Sequence, residues 1–532
     1  MSLRRVALAT VATCAVLEAT AQATPGPPPA APPGAKAAPT WIVGGDPTSA
    51  TRRAARAHGA RLLSPLGIYV LPRVRAHAFA GALKAAGTYR FAEPDVRAQT
   101  IQTPPIDDFA ATDWRTPLIA PSLVPPAPEV TPLIAIVDTP IDISHPDLAG
   151  MQSSAPVPAY NFHGTAVASL IGGRANGVGI VGVLPGARVL AIGVDKGLRT
   201  SDLIAGVSQA VTAGARVINM SFALGRRSPG LALVLAKAVS DGVLPVAGAG
   251  NDRLRLSGVE LGRVVYPAAY PHVLSVSSIG PNGASSRFST SNGAVDVAAP
   301  GESVLAAVPA AFDTDGVADG YMRLDGTSFA GPIVAAAAAW LIAARPTLSS
   351  GQVADVLRFT ADDIGDKGWD PDTGWGRINL AEALKGPAPD DDAKEVDDDI
   401  GWVNGKHLGQ PYPFVFTGRR NEVSGTLDIW EDRGDVHRIR VPGRSRVRVT
   451  LQVAKDENPN LAVFTPAARS IYGSRGRVGR SFRAVGRSER LVIANGSRRP
   501  VARYVAVLAP RNDDDAYMNA SYTLRFQRLG TR

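Results

Sequence analysis

The stretch Gly326-Thr327-Ser328-Phe329-Ala330-Gly331-Pro332 leads directly into an alanine-rich apolar run that continues to Ala344. The pattern predicts a tight turn followed by a buried helix, with the Ser328 hydroxyl at or near the helix start. Unpaired N–H groups and the positive end of the helix dipole favour negative charge there. Pro332 is compatible with a first helical turn, in which no N–H is needed. The position suits a nucleophile whose reaction creates an oxyanion, although a serine before an apolar run is most often only a helix cap.

A base and an orienting acid stand elsewhere in the chain. Asp138 ends the apolar run 133–137, which is typical of a buried parallel strand. His163 begins a helical pattern that continues to Ile171. Taken singly, Asp138 is more simply a turn residue and His163 more simply a helix-start residue. The order aspartate, histidine, serine is nevertheless one in which catalytic triads occur, so the three together indicate nucleophilic catalysis.

Three motifs carry a resemblance to a known family. Residues 138–142 (Asp-Thr-Pro-Ile-Asp), 163–165 (His-Gly-Thr) and 326–332 resemble the Asp-Thr-Gly, His-Gly-Thr and Gly-Thr-Ser-Met-Ala-x-Pro motifs of subtilisin-like serine proteases, the subtilases. The resemblance implies a serine endopeptidase made as a self-processed precursor, which acts on protein or peptide substrates through an acyl-enzyme. Ser328 is then the nucleophile, His163 the general base and Asp138 the residue that orients the imidazole.

The same resemblance implies further site residues. Asn251, in Val-Ala-Gly-Ala-Gly-Asn-Asp at 246–252, is expected to donate its side-chain amide to the oxyanion. Substrate is expected to add as a strand along residues 219–225, where it touches Ser221 and Phe222, with Gly248 on the other wall of the first pocket. The Phe222 side chain and the Asp252 carboxylate are the expected determinants of specificity, although Asp252 facing water is the simpler interpretation.

The chain departs from the family pattern at three positions. Pro140 replaces a glycine, and it fixes φ and removes an N–H. Phe162 replaces the glycine before the histidine, and Ala166 replaces a second histidine. We expect an active but divergent enzyme. The alternative is a catalytically silent subtilase-fold binding module, for which Pro140 is the main support. An esterase is disfavoured because Ser328 does not lie in a Gly-x-Ser-x-Gly elbow.

Alternating strand-like and helical runs from residue 133 to 384 predict the α/β class, with a parallel sheet flanked by helices on both faces. Runs such as 446–453 and 504–508 instead alternate polar and apolar residues at period two, which predicts a small antiparallel β-sandwich. Residues 425–427, 435–439 and 460–464 resemble the pre-peptidase C-terminal domain of secreted bacterial proteases.

The predicted organisation has six parts. They are a signal peptide (1–23), a disordered spacer (24–40), an inhibitory propeptide-like domain (41–100), the catalytic domain (101–386), an acidic linker (387–400) and the β-sandwich (401–532). A propeptide-like domain implies that the chain inhibits itself and is cut between Asp95 and Asp113. An N-terminal decoration without an inhibitory role is the alternative.

Composition limits the partners and cofactors. The formal net charge of +9 comes mostly from arginine, and no basic stripe interleaved with aromatic residues indicates nucleic acid. The only cysteine, Cys14, lies in the predicted signal peptide, which excludes a cysteine hydrolase and thiolate zinc sites from the mature chain. We expect a secreted or periplasmic monomer without a membrane span, which needs no cofactor or metal for its chemistry. Structural calcium at the linker aspartates stays open, although a solvated linker is the simpler interpretation.

Overall fold

The structure is a computed structural model that describes residues 40–96, 99–100, 128–154, 158–177, 179–194, 197–253, 264–389, 396–427, 434–455, 458–471, 473–484, 486–509 and 520–530. The predicted signal peptide and nearly all of the predicted spacer lie outside the described residues.

The N-terminal unit is an antiparallel sheet of four strands with two helices on one face. Its elements are β1 (Thr40–Gly45), α1 (Ser49–His58), β2 (Arg61–Ser64), β3 (Ile68–Pro72), α2 (Arg73–Ala85) and β4 (Tyr89–Pro94), and the strand order is β2-β3-β1-β4. Alternation along the strands sorts the two faces. Val43 and Tyr69 pack under the helices, whereas Ile42 and Ile68 belong to a hydrophobic cluster shared with the next domain.

The middle of the chain builds a parallel sheet of seven strands in the order β13-β12-β11-β9-β6-β8-β7. Its strands and those of two short antiparallel pairs are β5 (Gln99–Thr100), β6 (Ile134–Asp138), β7 (Gln152–Ser153), β8 (Val189–Gly193), β9 (Val217–Met220), β10 (Phe222–Ala223), β11 (Leu244–Gly248), β12 (Leu274–Ile279), β13 (Val297–Pro300), β14 (Val304–Ala307) and β15 (Tyr321–Leu324). The predicted parallel α/β sheet is thereby confirmed.

Helices cover both faces of this sheet. They are α3 (His163–Gly172), α4 (Thr200–Thr212), α5 (Pro229–Ser240), α6 (Thr327–Ala344), α7 (Ser350–Phe359) and α8 (Leu380–Lys385), with 3₁₀ turns at Pro146–Leu148 and Ala310–Phe312. Along β6, Ile134 and Ile136 pack in the cluster of α3, α6 and α7, whereas Ala135 and Val137 pack in the cluster of α4 and α5. A strand buried on both faces reads as a continuous apolar run, as the sequence of β6 does.

Helix α6 is longer than the apolar run that predicted it. Among the described helices it alone has the length and apolarity of a membrane span, and 89% of that stretch is buried inside the protein. The core of a folded domain therefore covers it, and it forms the contact surface between α3, α7 and the sheet.

The C-terminal part is a sandwich of two four-stranded antiparallel sheets, in the orders β16-β23-β18-β21 and β17-β22-β19-β20. A short helix, α9 (Ile400–Val403), precedes the strands β16 (Asn421–Leu427), β17 (Gly434–Val441), β18 (Ser445–Val453), β19 (Asn460–Phe464), β20 (Arg477–Ser481), β21 (Glu489–Asn495), β22 (Val501–Leu508) and β23 (Ala520–Leu529). Apolar residues from both sheets form one core, which confirms the predicted fold of this part.

The end of the acidic stretch is not a solvated linker. Asp397 lies 3.7 Å from His437 of the sandwich, and Asp398 accepts from His272 of the catalytic domain at 3.1 Å. Asp399 caps α9 and also accepts from the N–H of Ile471. The three aspartates therefore make structural contacts, and the solvated interpretation is wrong for them because the docked domains supply a partner for each one. Among the described residues, no group of three or more His, Cys, Asp or Glu side chains is placed to hold a metal ion.

Candidate active site

The structure brings Asp138 and His163 together at the carboxyl end of β6. His163 Nδ1 lies 2.7 Å from Asp138 Oδ1, and the N–H of Thr139 donates to the same oxygen at 2.6 Å. Because Nδ1–H donates to the carboxylate, the lone pair of a neutral imidazole is on Nε2. Nε2 is buried and has no hydrogen-bond partner in the described part of the chain. The free basic nitrogen therefore faces into the protein at this site.

The start of α3 is fixed by residues that the sequence motifs only hinted at. Asn161 Oδ1 accepts from the N–H of His163 at 3.0 Å and from the Thr139 hydroxyl at 2.8 Å. That hydroxyl in turn accepts from the N–H of Gly164 at 2.9 Å. A Cβ on Gly164 would lie 2.0 Å from the carbonyl oxygen of Thr139, so only glycine fits. Asn161 was missed, although an asparagine shortly before a predicted helix is a known signal for capping.

Ser328 is the second residue of α6 and is fully buried. Its hydroxyl donates to the carbonyl oxygen of Ser221 at 3.3 Å. Pro332 lies in the second turn rather than the first, because the helix begins at Thr327, so the expected position of this proline was wrong. Pro332 has no N–H for the Ser328 carbonyl, and the Ser221 hydroxyl donates to that carbonyl instead at 2.9 Å. Ser221, which lies between β9 and β10, thus supplies the hydrogen-bond donor that Pro332 lacks.

Asn251 is held by the residue next to the nucleophile. Its Oδ1 accepts from both the N–H and the hydroxyl of Thr327, each at 3.0 Å. Its Nδ2 is buried and has no hydrogen-bond partner among the described residues. The Thr327 hydroxyl also accepts from the N–H of Gly250 at 3.1 Å. The two bonds that Asn251 Oδ1 accepts from Thr327 fix the orientation of the amide. They leave Nδ2 as an oriented donor that is held by the residue next to Ser328 in the chain.

The edge of the site is occupied by the chain itself. Strand β5 pairs antiparallel with β10, with Thr100 opposite Phe222 and Gln99 opposite Ala223. Residues 219–225 were predicted to take an added strand, and this is the edge to which β5 adds. The Phe222 side chain is 1% exposed and lies in a core cluster while β5 covers this edge, and its role in specificity stays a prediction.

Comparison of the sequence with known proteins identifies one family for the catalytic domain. The model of the subtilase family of peptidases matches residues 130–376. Subtilisin DY of Bacillus licheniformis is 36% identical over 261 residues, which are 47% of this chain and 90% of that protein. The chain belongs to the subtilase family.

The subtilase match is partial with respect to longer relatives. Subtilisin E of Bacillus subtilis is 34% identical over 262 residues, and the chain spans 65% of its length. Fervidolysin of Fervidobacterium pennivorans is 31% identical over 326 residues, or 54% of this chain and 46% of that protein. The crystal structure of fervidolysin, a keratinolytic enzyme related to subtilisin, covers 87% of this chain and 86% of its own with a TM-score of 0.58 and 21% identity. That likeness shows a shared subtilisin-like fold.

The departures from the subtilase motifs fit this structure. Asp138 Oδ1 takes its backbone hydrogen bond from Thr139, whereas Oδ2 is buried and has no hydrogen-bond partner among the described residues. Ala166 is buried in an apolar cluster with Phe329, where a second histidine would have no polar partner in the group. Gly248 approaches α6 closely, since a Cβ there would lie 2.8 Å from the carbonyl oxygen of Thr327. Asp252 is partly exposed, and its N–H donates to Thr290.

Proposed function

We propose that this subtilase is a serine endopeptidase that is made as a precursor, cuts its own chain and is inhibited by its N-terminal unit. Secretion of the mature enzyme is part of the proposal, and protein substrates are its expected targets, as the relation to subtilisins and to keratinolytic fervidolysin supports. The observation that carries it is a buried Asp138–His163 pair whose Nε2 has no hydrogen-bond partner in the described part of the chain and whose imidazole ring lies 5.7 Å from the ring of Phe329, the residue after Ser328. The oriented Asn251 amide, held by the residue before Ser328, adds to this support.

The proposed chemistry follows from these side chains. Ser328 Oγ turns from the Ser221 carbonyl towards His163 Nε2, gives up its proton and attacks the scissile carbonyl. Asp138 stabilises the imidazolium that results and does not itself take the proton. Asn251 Nδ2 donates to the oxyanion, and the start of α6 adds its favourable dipole. His163 then protonates the leaving amine, and water hydrolyses the acyl-enzyme by the reverse sequence of transfers.

Self-inhibition is supported by how the N-terminal unit contacts the catalytic domain. Glu93 Oε1 accepts from the Ser228 hydroxyl at 2.7 Å and from the N–H of Gly230 at 2.9 Å, at the start of α5. Asp95 accepts from the N–H and the hydroxyl of Ser201, at the start of α4. The two side chains therefore satisfy backbone donors at two helix N-termini, which would otherwise lack partners. Strand β5, which follows this unit in the chain, pairs with β10, the edge at which substrate is expected to bind.

The pairing of β5 suggests where the precursor is cut. Thr100 lies opposite Phe222, and Ser221 carries the carbonyl that is 3.3 Å from Ser328 Oγ. We therefore expect cleavage shortly after β5, within the range that the sequence predicted.

The test is to express the full chain beside Ser328→Ala and to sequence the mature N-terminus. We expect the wild type to start shortly after Thr100, to hydrolyse casein and to be labelled at Ser328 by a phosphonofluoridate. The Ser328→Ala chain should stay uncut and inactive. A wild type that leaves casein and itself intact would instead favour the silent binding module, and labelling of a different serine would overturn the assignment.

A further inference from the structure

A segment at the start of the C-terminal part reaches across to the N-terminal unit. Arg90 of β4 lies with Nη2 2.7 Å from His407 Nδ1, although 317 positions separate the two residues. The Arg90 side chain is 4% exposed and also donates to the carbonyl oxygen of Leu66 at 2.9 Å. Because an arginine always donates, His407 accepts through Nδ1 and is neutral in this contact.

An apolar contact accompanies this hydrogen bond. Trp402 of α9 packs against the hydrophobic cluster that includes Ile42 and Ile68 of the N-terminal unit. Its ring lies 4.8 Å from the ring of His407. The imidazole lies so close to Gly401 that a Cβ there would be 2.3 Å from Nε2. The segment thus holds the Trp402 ring next to the His407 imidazole that contacts Arg90.

The segment is itself fixed to both neighbouring domains. Asp399 caps α9 and accepts from the N–H of Ile471 in the sandwich at 2.8 Å. Asp398 accepts from His272 of the catalytic domain at 3.1 Å. The segment that contacts the N-terminal unit is therefore anchored to the sandwich and to the catalytic domain.

We propose that residues 400–409 are a docking surface for the protein's own N-terminal unit, which they retain on the catalytic domain after the connecting chain has been cut. This inference depends on the proposed function for the cut but not for the contact itself. The segment, here called the latch, adds a second attachment far in sequence from the Glu93 and Asp95 contacts. Release of the unit then requires both attachments to open.

The latch is sensitive to acid. Burial, with Arg90 and Lys406 nearby, lowers the pKa of His407 to about 3, whereas a free histidine titrates near 6.5. Asp46 lies 3.8 Å from Arg90 and is the carboxylate that faces this pair. A lowered histidine pKa means that protonation disfavours docking. The contact is complete above about pH 6.5 and weakens below it by at most about tenfold per pH unit.

The pH dependence of docking expected from Glu93 is opposite to that expected from His407. Burial raises its pKa to about 7. A carboxyl with a raised pKa stabilises docking below its ordinary pKa and loses this contribution as the pH rises through about 7. Between about pH 4.5 and 6.5 the two contributions oppose each other, so the effect of His407 is measured in a chain in which Glu93 is replaced by glutamine.

The experiment measures how fast the cleaved N-terminal unit leaves the full-length mature enzyme, by native mass spectrometry between pH 4.5 and 8. In a Glu93→Gln background, which keeps an acceptor for Ser228 and Gly230 but removes the opposing titration, we expect release to be at least tenfold faster at pH 4.5 than at pH 6.5. His407→Gln keeps an acceptor for Arg90 but cannot titrate, so its acid release should disappear. Trp402→Ala should release faster at every pH, with the pH dependence kept. His77→Gln, an exposed histidine of the same unit, is the matched control and should behave as wild type.

A second measurement separates this inference from the proposed function. Hydrogen exchange of the peptides that cover β4 and α9 is followed in the uncut Ser328→Ala chain, with intrinsic rates corrected for pH. Faster exchange at pH 4.5 that His407→Gln abolishes supports the latch even if the wild type never cuts itself. An acid response in His407→Gln equal to that of the parent chain, or unchanged protection in Trp402→Ala, would overturn it.

Discussion

Two buried histidine–aspartate pairs in this protein differ in what meets the second imidazole nitrogen. In the catalytic domain, Asp138 holds His163 Nδ1, and Nε2 has no hydrogen-bond partner among the described residues. In the sandwich, Asp397 lies 3.7 Å from His437 Nδ1, while the Tyr522 hydroxyl lies 2.8 Å from Nε2. Both histidines are nearly inaccessible to solvent.

The difference shows that a histidine–aspartate pair is not in itself a catalytic device. The Tyr522 hydroxyl that lies against His437 Nε2 also donates to Asp435, so hydrogen bonds link these three buried side chains, with Asp397 3.7 Å from Nδ1. A network of this kind specifies and stabilises packing, provided that each member keeps its partners. His163 keeps Nε2 without a hydrogen-bond partner among the described residues, so that nitrogen can accept the proton that Ser328 gives up in the proposed reaction. We expect the same substitution to affect turnover at one pair and stability at the other.

The largest expected effect is at His163. His163→Ala should lower kcat by about 10⁶-fold, the size known for loss of this residue type from the subtilisin triad. His437→Ala should leave kcat per folded molecule unchanged and lower the free energy of unfolding of the sandwich by about 1–3 kcal/mol, because it leaves a buried hydroxyl without its partner. Peptide hydrolysis and thermal unfolding measure the two effects. Loss of turnover in folded His437→Ala would contradict the comparison.

Asn251→Leu removes the oriented amide without touching either histidine. We expect kcat to fall by about 10²–10³-fold, as is known for the oxyanion donor of subtilisin, with little change in KM. Steady-state kinetics on a peptide anilide separates the two parameters. An increase in KM at constant kcat would mean that Asn251 binds the ground state instead.

Tyr522→Phe tests how much the hydrogen bonds of Tyr522 to His437 and Asp435 contribute to stability. The substitution removes the hydroxyl that lies 2.8 Å from His437 Nε2 and keeps the ring. We expect a loss of about 1–3 kcal/mol from the free energy of unfolding, since a buried polar group is left without its partner. Turnover should not change. Equal stability of Tyr522→Phe and wild type in denaturant unfolding would show that the network contributes nothing.

Thr327→Val should have the smallest effect. Thr327 positions Asn251 through its hydroxyl and its N–H, and the substitution removes only the hydroxyl. We expect kcat to fall by about tenfold, roughly the worth of one hydrogen bond, with KM unchanged. Thr327→Ser should restore the rate, because it restores the donor. A Thr327→Ser variant as slow as Thr327→Val would indicate a packing role for the methyl group instead.

The parts of the fold that rest on local pattern could be predicted. The apolar run of β6 and the period-two alternation of β18 each imply burial on a definite number of faces, and both are strands as expected. The burial of Phe222 could not be predicted, because a two-residue strand has too few residues to show which face is inside. The contacts of Asp397 to Asp399 were missed for a related reason, since a run of acids looks the same whether water or a docked domain surrounds it.

The sequence by itself determined the family, the parallel and antiparallel layers and the residue types available for chemistry, because these follow from short motifs and from the spacing of apolar residues. The tertiary structure alone decided that Thr327 aims the Asn251 amide, that Ser221 takes the place of the N–H that Pro332 lacks, and that His407 meets Arg90. Each of these joins residues far apart along the chain. Such contacts depend on how whole elements dock, and docking depends on the summed burial of many side chains rather than on any local pattern.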